Sequence, residues 1–215
     1  MNKITFKFFI TLLFMGIGTM SYAQTNLFEH PEFATLTKDH KTIAIVPFKT
    51  QVLLRPKQMK EISAEKLAEM EKNEGFAIQQ SLFTWFLQRK KRGKFQLEVQ
   101  DPSKTNAILS KNNIADLSLL TPEELAKLLE VDAVISGRFE TDKPMSDGAS
   151  LALGILVGFY GTTNSATINM NVNNAEDGVL LWNYNKRVAG GLGSSTDTLI
   201  NTLMRKASRR MAYTQ

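Results

Sequence analysis

Cysteine is absent from this 215-residue chain, and histidine occurs only twice. Without Cys there is no disulfide, no thiolate nucleophile and no Cys-ligated metal, so the fold must rely on packing alone. The two imidazoles, His30 and His40, lie in Thr25–Lys41, a stretch with no clear period that Pro31 interrupts. Ser–His–Asp or Cys–His chemistry needs an imidazole beside a nucleophile, and these two read as solvated arm residues. No Walker motif is present. The acidic pairs Glu123-Glu124 and Glu176-Asp177 are explained by helix-start electrostatics and turn chemistry. The expectation is a non-enzymatic protein with no metal, no cofactor and no small-molecule substrate.

Net charge is also scarce. Of the 26 basic residues, Lys3 and Lys7 fall in the leader described next, which leaves 24 against 21 acids, about +3. That small excess does not argue for nucleic acid. The leader has a basic start, an apolar run from Phe8 to Gly18, and Ser21-Tyr22-Ala23 before Gln24. This is the layout of a secretory signal peptide over residues 1–23, cleaved after Ala23. The apolar run is about half of the roughly 20 residues a spanning helix needs. No thiol follows it to be acylated, so a lipoprotein anchor is not expected. The reading is export to the periplasm or the periplasmic face of an outer membrane.

Downstream of an arm at 24–41, one domain fills 42–215. Thr42–Phe48 is a β-branched run ended by proline, which fits a buried strand. Lys49–Ile62 reads as a loop. Ser63 caps a helix whose Leu67, Met70, Ile78, Leu82, Trp85 and Phe86 keep a 3.6 spacing, and Asn73-Glu74-Gly75 is a candidate break. Its end, Arg89-Lys90-Lys91-Arg92 before Gly93, suits a helix C-terminus, with a polybasic patch for anionic lipid or nucleic acid as the alternative. Phe95–Val99 alternates as a strand. Asp101-Pro102 opens a helix to about Lys111, and Thr121-Pro122-Glu123-Glu124 opens another to Leu129. Val131–Phe139 reads as a strand. In Thr163–Asn173, Ile168, Met170 and Val172 face one side, with Thr167, Asn169, Asn171 and Asn173 on the other. Glu176-Asp177-Gly178 turns the chain into Val179–Val188, and a last helix carries Leu199, Leu203 and Met204 inward. The expected fold is a single α/β (α+β) domain, a mixed sheet flanked by helices in the order strand, helix, strand, two helices, three strands, helix.

Two glycine-containing stretches stand apart. Gly190–Ser195 could offer backbone N–H groups and hydroxyls at Gly191, Gly193, Ser194 and Ser195 to an anion, or serve only as a connection; it lacks the Lys of a phosphate loop. Within the insertion 144–163, Gly148–Gly161 has almost no polar side chains. It is either a piece of the core or an apolar contact through Leu151, Leu153, Ile155, Val157, Phe159 and Tyr160, for a partner, a second copy or a membrane surface.

Three stretches carry a resemblance: Ile43-Ala44-Ile45-Val46-Pro47-Phe48, Leu129–Arg138 with its Val131-Asp132-Ala133-Val134-Ile135-Ser136-Gly137 core, and the hairpin Ala175–Trp182. Together they resemble the curli-secretion-channel (CsgG-like) superfamily and exported proteins with the TolB amino-terminal type of fold. In those, an I-A-V-L-P-F strand, a G-A-D-A-V-I-x-G strand and a D-x-x-T-G-x-x-L-W hairpin recur. The match spans roughly Thr42–Met211, and its motifs specify fold rather than chemistry. This chain departs from the family in two respects. It has no lipid-bearing Cys, and Pro144–Thr163 is too short for two membrane strands of about ten residues each plus a turn. The resemblance implies an exported accessory or assembly protein of the bacterial envelope that works by binding an envelope protein or itself. The alternative is a subunit of a membrane-associated oligomer or secretion-channel-like assembly.

Overall fold

The computed structural model describes residues 25–53, 62–141, 165–189 and 196–214. Its seven strands form one mixed sheet. They are β1 (Thr25–Glu29), β2 (Thr42–Ile45), β3 (Lys49–Val52), β4 (Glu98–Val99), β5 (Ala133–Thr141), β6 (Ser165–Asn174) and β7 (Leu180–Ala189). The spatial order is β1-β7-β6-β5-β2-β4, with β3 also pairing β5. The helices are α1 (Phe33–Leu36), α2 (Ala64–Lys91), α3 (Pro102–Lys111), α4 (Pro122–Leu129) and α5 (Thr196–Ser208), with a 3-10 turn at Leu117–Leu119. The fold is the expected one: a mixed sheet flanked by helices that ends in a hairpin and a C-terminal helix.

Caps and periodicity place most elements where the residues call for them. Thr121 and Glu124 close a reciprocal capping box on α4, and Asp101 accepts from Ser103 N–H at the start of α3. On β6, Ala166, Ile168, Met170 and Val172 are fully buried while Thr167, Asn169, Asn171 and Asn173 are half-buried. The buried side chains meet Ile78, Leu82 and Phe86 of α2 and Leu199, Leu203 and Met204 of α5 in the main core. Trp182 on β7 is 0% exposed, stacks on Tyr184 at 5.7 Å and donates its indole N–H to the Arg210 carbonyl at 3.1 Å. A smaller cluster on the opposite sheet face joins Ala44, Val46 and Val134 to Leu109, Leu125 and Leu129 of α3 and α4.

The arm, read as extended or partly ordered, holds a strand, and three other expectations need correction. Thr25–Glu29 pairs antiparallel with β7 and sets Leu27 opposite Tyr184. An edge strand open on both faces needs no alternation, and the period that marks a half-buried strand is missing. Lys49–Val52, read as loop, is β3. Ile45 faces Ile135 and Lys49 faces Arg138, so three residues on one strand span two on β5; β2 and β3 are one strand interrupted by a bulge at Val46-Pro47-Phe48. Helix α2 runs unbroken through Asn73-Glu74-Gly75. Gly75 serves proximity there: a Cβ would sit 2.2 Å from the Phe48 carbonyl oxygen, and Phe48 N–H donates to the Gly75 carbonyl at 3.3 Å. Finally, Phe95–Val99 shrinks to Glu98–Val99 plus a single bridge from Phe95 to Thr214.

The bulge breaks the sheet ladder, and α2 repairs it. Buried Gln79 donates to the Ile45 carbonyl at 2.6 Å and exchanges amide hydrogen bonds with Asn106 of α3. Buried backbone groups demand such partners, so one glutamine fixes helix, sheet and a second helix together. Among the described residues, no helix is long and apolar enough to cross a membrane.

Candidate functional site on the open sheet face

Beside the bulge, the second sheet face opens into a groove of about 1250 Å³. Its floor is Ser136, Gly137 and Arg138 of β5 with Asn169, Asn171 and Asn173 of β6. One wall is the first half of α2, with Glu71, Lys72 and Phe76. The other wall is α3 and the turn after it, from Asn106 to Ser118.

The floor is a network of side-chain amides. Asn183 on β7 donates to Asn171 Oδ1 at 2.6 Å and to Asn169 Oδ1 at 2.8 Å, with the Met170 carbonyl at 3.3 Å. Asn173 donates to the Gly178 carbonyl at 3.0 Å. Gly137 lets the floor close on itself, since a Cβ there would lie 2.4 Å from the Phe48 ring and 2.6 Å from the Asn169 carbonyl oxygen. Lys49, Lys72 and Arg138 bring positive charge to the groove against Glu71 and Asp116. Hydrogen bonds from Ser118 hold the Asp116 carboxyl below its usual range. The result is a rigid surface rich in hydrogen-bonding groups, with cations at one side.

Two titratable groups lie outside this groove in unexpected settings. His40 is not a solvated arm residue. Its Nδ1 lies 2.7 Å from the Tyr213 hydroxyl and its Nε2 3.2 Å from Asn174 Oδ1. Asn174 Nδ2 donates to Asp177 at 2.8 Å, which orients the amide oxygen toward His40; Nε2 therefore carries the proton and Nδ1 accepts from Tyr213. This latch ties the N-terminal segment, the hairpin and the C-terminal segment together, and burial pulls the imidazole pKa down against the pull of Asp132. His30 does a local job, accepting from Glu32 N–H at 3.1 Å. On α2, Glu74 is 5% exposed with Oε1 unpartnered, and burial first, then Asp197, pushes its carboxyl up to about 8.

The contact residues Leu151, Leu153, Ile155, Val157, Phe159 and Tyr160 lie outside the described residues, as do Gly191, Gly193, Ser194, Ser195 and the leader. Among the described residues, no cluster of three His, Asp or Glu could hold a metal ion. The groove itself was not read from the sequence. The Asn alternation on β6 marks an outward face, but the walls come from α2 and α3, distant in sequence.

No protein-family model matches the chain, and no curated protein matches it. Solved structures similar to it include a PelC dodecamer from Paraburkholderia phytofirmans, at 11% identity and TM-score 0.45, covering 86% of this chain and 94% of that one. Lipoprotein GNA1162 from Neisseria meningitidis is similar at 15% identity and TM-score 0.44, covering 80% and 98%. The LpoB C-terminal domain from Salmonella enterica follows at 11% identity and TM-score 0.32, covering 74% and 93%. At these scores the likenesses carry no functional weight.

Proposed function

We propose that this is an exported, non-enzymatic accessory or assembly protein of the bacterial envelope that acts by binding. The groove carries this reading. Its floor presents amide donors and acceptors, already cross-linked to one another, in a wide cleft that an extended chain can enter. Nothing on that floor forms a nucleophile–base pair. Arg138, exposed and without a partner among the described residues, is the cation a bound segment would meet first. Arg138→Glu should leave the melting temperature unchanged, because an exposed substitution usually stays within about 0.5 kcal/mol. It should reduce capture of the native partner from envelope extract. Unchanged capture would remove the groove from the proposal.

A specific observation favours self-association as the second reading. Edge strand β1 leaves Leu27 51% and Phe28 43% exposed, on opposite faces of the strand. An open edge with apolar side chains is a template for pairing. Gel filtration of Leu27→Lys with Phe28→Lys should then give a smaller species than the parent. The stretch Gly148–Gly161 is proposed as a further contact; Leu153→Asp and Val157→Asp should lose association while keeping the parent's melting temperature. Poor folding of both would place the stretch in the core instead.

A further inference from the structure

The ends of α2 and α5 lie side by side, and together they concentrate positive charge on one end of the molecule. The two helices run parallel: Trp85 of α2 donates its indole N–H to Asn201 of α5 at 2.8 Å, and one turn further along each helix stand Arg89 and Arg205. Arg92 and Arg209 follow just past the helix ends. No acid occurs between Glu74 and Glu98, while Arg89, Lys90, Lys91, Arg92 and Lys94 do. No acid follows Asp197, while Arg205, Lys206, Arg209 and Arg210 do. The one ion pair here joins Lys90 to Glu98; the arginines at 89, 92, 205 and 209 have no acidic partner among the described residues.

A helix C-terminus favours one or two cations on its own last turn, but it does not account for arginines from two elements gathered against each other. Burial and the charges of Arg209, Arg92 and Arg205 all act to lower the Arg89 pKa, and the Arg89 Nε is buried without an acceptor. Nearby on β7, Lys186 is 6% exposed, faces Lys206 and Arg210, and among the described residues has only the Thr25 hydroxyl as a partner. Such a cluster is unfavourable by itself and is relieved by external anions.

The topology sets this end apart. β3, β5 and β7 finish, and α2, β6 and α5 begin, at the opposite end.

We infer that the basic end formed by α2 and α5 is a docking surface for a bilayer bearing anionic phospholipid headgroups. The choice of membrane over nucleic acid rests on the envelope reading above; the charge cluster itself does not. Groups of four to eight Lys or Arg at a surface are the footprint of anionic-lipid recognition. Here Arg92, Arg205 and Arg209 are exposed around half-buried Arg89, so several phosphates can be met at once.

The test is vesicle flotation with protein processed by the cell that makes it. Vesicles of phosphatidylethanolamine with phosphatidylglycerol are compared with phosphatidylcholine alone. Binding to the anionic vesicles is expected, with loss as salt rises to about 0.5 M, where screening is strong. Arg92→Gln, Arg205→Gln and Arg209→Gln combined should weaken it by at least about 10-fold. The same variant should melt no lower than the parent, because like-charge repulsion around Arg89 is relieved. The control of Lys38→Gln, Lys104→Gln and Lys111→Gln removes equal charge elsewhere and should bind as the parent does. Equal binding to neutral vesicles, an unaffected arginine variant, or an equally weakened lysine control would overturn the inference. Tighter binding to a short DNA duplex than to the anionic vesicles, at the same ionic strength near about 0.15 M, would overturn it in favour of nucleic acid. Partner capture through the groove is read separately with Arg138→Glu, so either idea can fail while the other stands.

Discussion

The two faces of strand β6 make opposite use of the same ten residues. Ala166, Ile168, Met170 and Val172 are fully buried under α2 and α5. Asn169 and Asn171 look the other way, into a groove where side-chain amides answer one another. The first face gains from non-directional burial of apolar area, the main favourable term in folding. The second gains little, because a hydrogen bond that replaces one to water is worth only about 1 kcal/mol net. The fold therefore rests chiefly on the covered face, with a smaller apolar cluster under α3 and α4 on the other beside the asparagine row.

The sharpest way to test this division is to remove the largest buried side chain. Trp182→Ala should cost about 3–5 kcal/mol in denaturant melts, as a large core truncation does. The loss also strips the Arg210 carbonyl of its donor and Tyr184 of its stacking partner. A cost below about 1 kcal/mol would falsify the assignment of β7 to the covered core.

Next in size is Gly75→Ala. Helix propensity alone would make this substitution stabilising by about 1 kcal/mol. The added methyl would instead meet the Phe48 carbonyl oxygen at 2.2 Å, a backbone atom held in the bulge. A net loss of about 1–3 kcal/mol is expected, typical of overpacking. A gain in stability would mean that helix and bulge are not in close contact.

Proton linkage separates two groups on the covered side of the molecule. The Glu74 carboxyl is pushed up to about 8, so the folded state favours its neutral form. Its contribution is complete below the unfolded value and is lost as pH rises from about 4.5 through 8. Glu74→Gln should flatten that alkaline loss and leave the variant more stable than the parent at about pH 9, by a few kcal/mol, at about 1.4 kcal/mol per unit of displacement. His40 has the opposite sign: its pKa is lowered, so its contribution is complete above about 6.5 and is lost as pH falls through the folded value. His40→Gln should flatten the acid limb instead. Melting temperatures across pH, parent against each variant, check both; a Glu74→Gln profile parallel to the parent's would contradict the burial of that carboxyl.

Much of this architecture was legible because local and global signals agree. The alternation of Ile168, Met170 and Val172, the box of Thr121 and Glu124, and the proline starts of α3 and α4 each point to one element. The failures have physical causes. Thr25–Glu29 lacks a period because an edge strand has no buried face, and Pro47 hides β3 because a bulge and a strand end look alike in sequence. Gly75 reads as a breaker when it is a point of contact with residue 48, too far along the chain for any local window. The candidate site was legible only as an outward row of asparagines. Its walls are assembled by tertiary packing, and the cation Arg138 looks like any exposed strand residue until Lys49 and Lys72 stand near it.

The smallest expected effect is the one that most directly separates the two faces. Asn171→Val lies one residue from Val172 on the same strand. Valine suits a strand better than asparagine, although the scale depends on context. Asn183, which loses the Asn171 acceptor, still has Asn169 Oδ1 at 2.8 Å and the Met170 carbonyl at 3.3 Å. Stability should therefore change by less than about 0.5 kcal/mol, in the range of surface positions. Capture of the native partner should nevertheless fall, because the floor loses both a donor and an acceptor while its shape is kept. A large stability loss would show that the amide network holds the sheet together. Undiminished capture at unchanged stability would show that the asparagine floor is a solvated surface only, and the search for the binding face would move to the β1 edge.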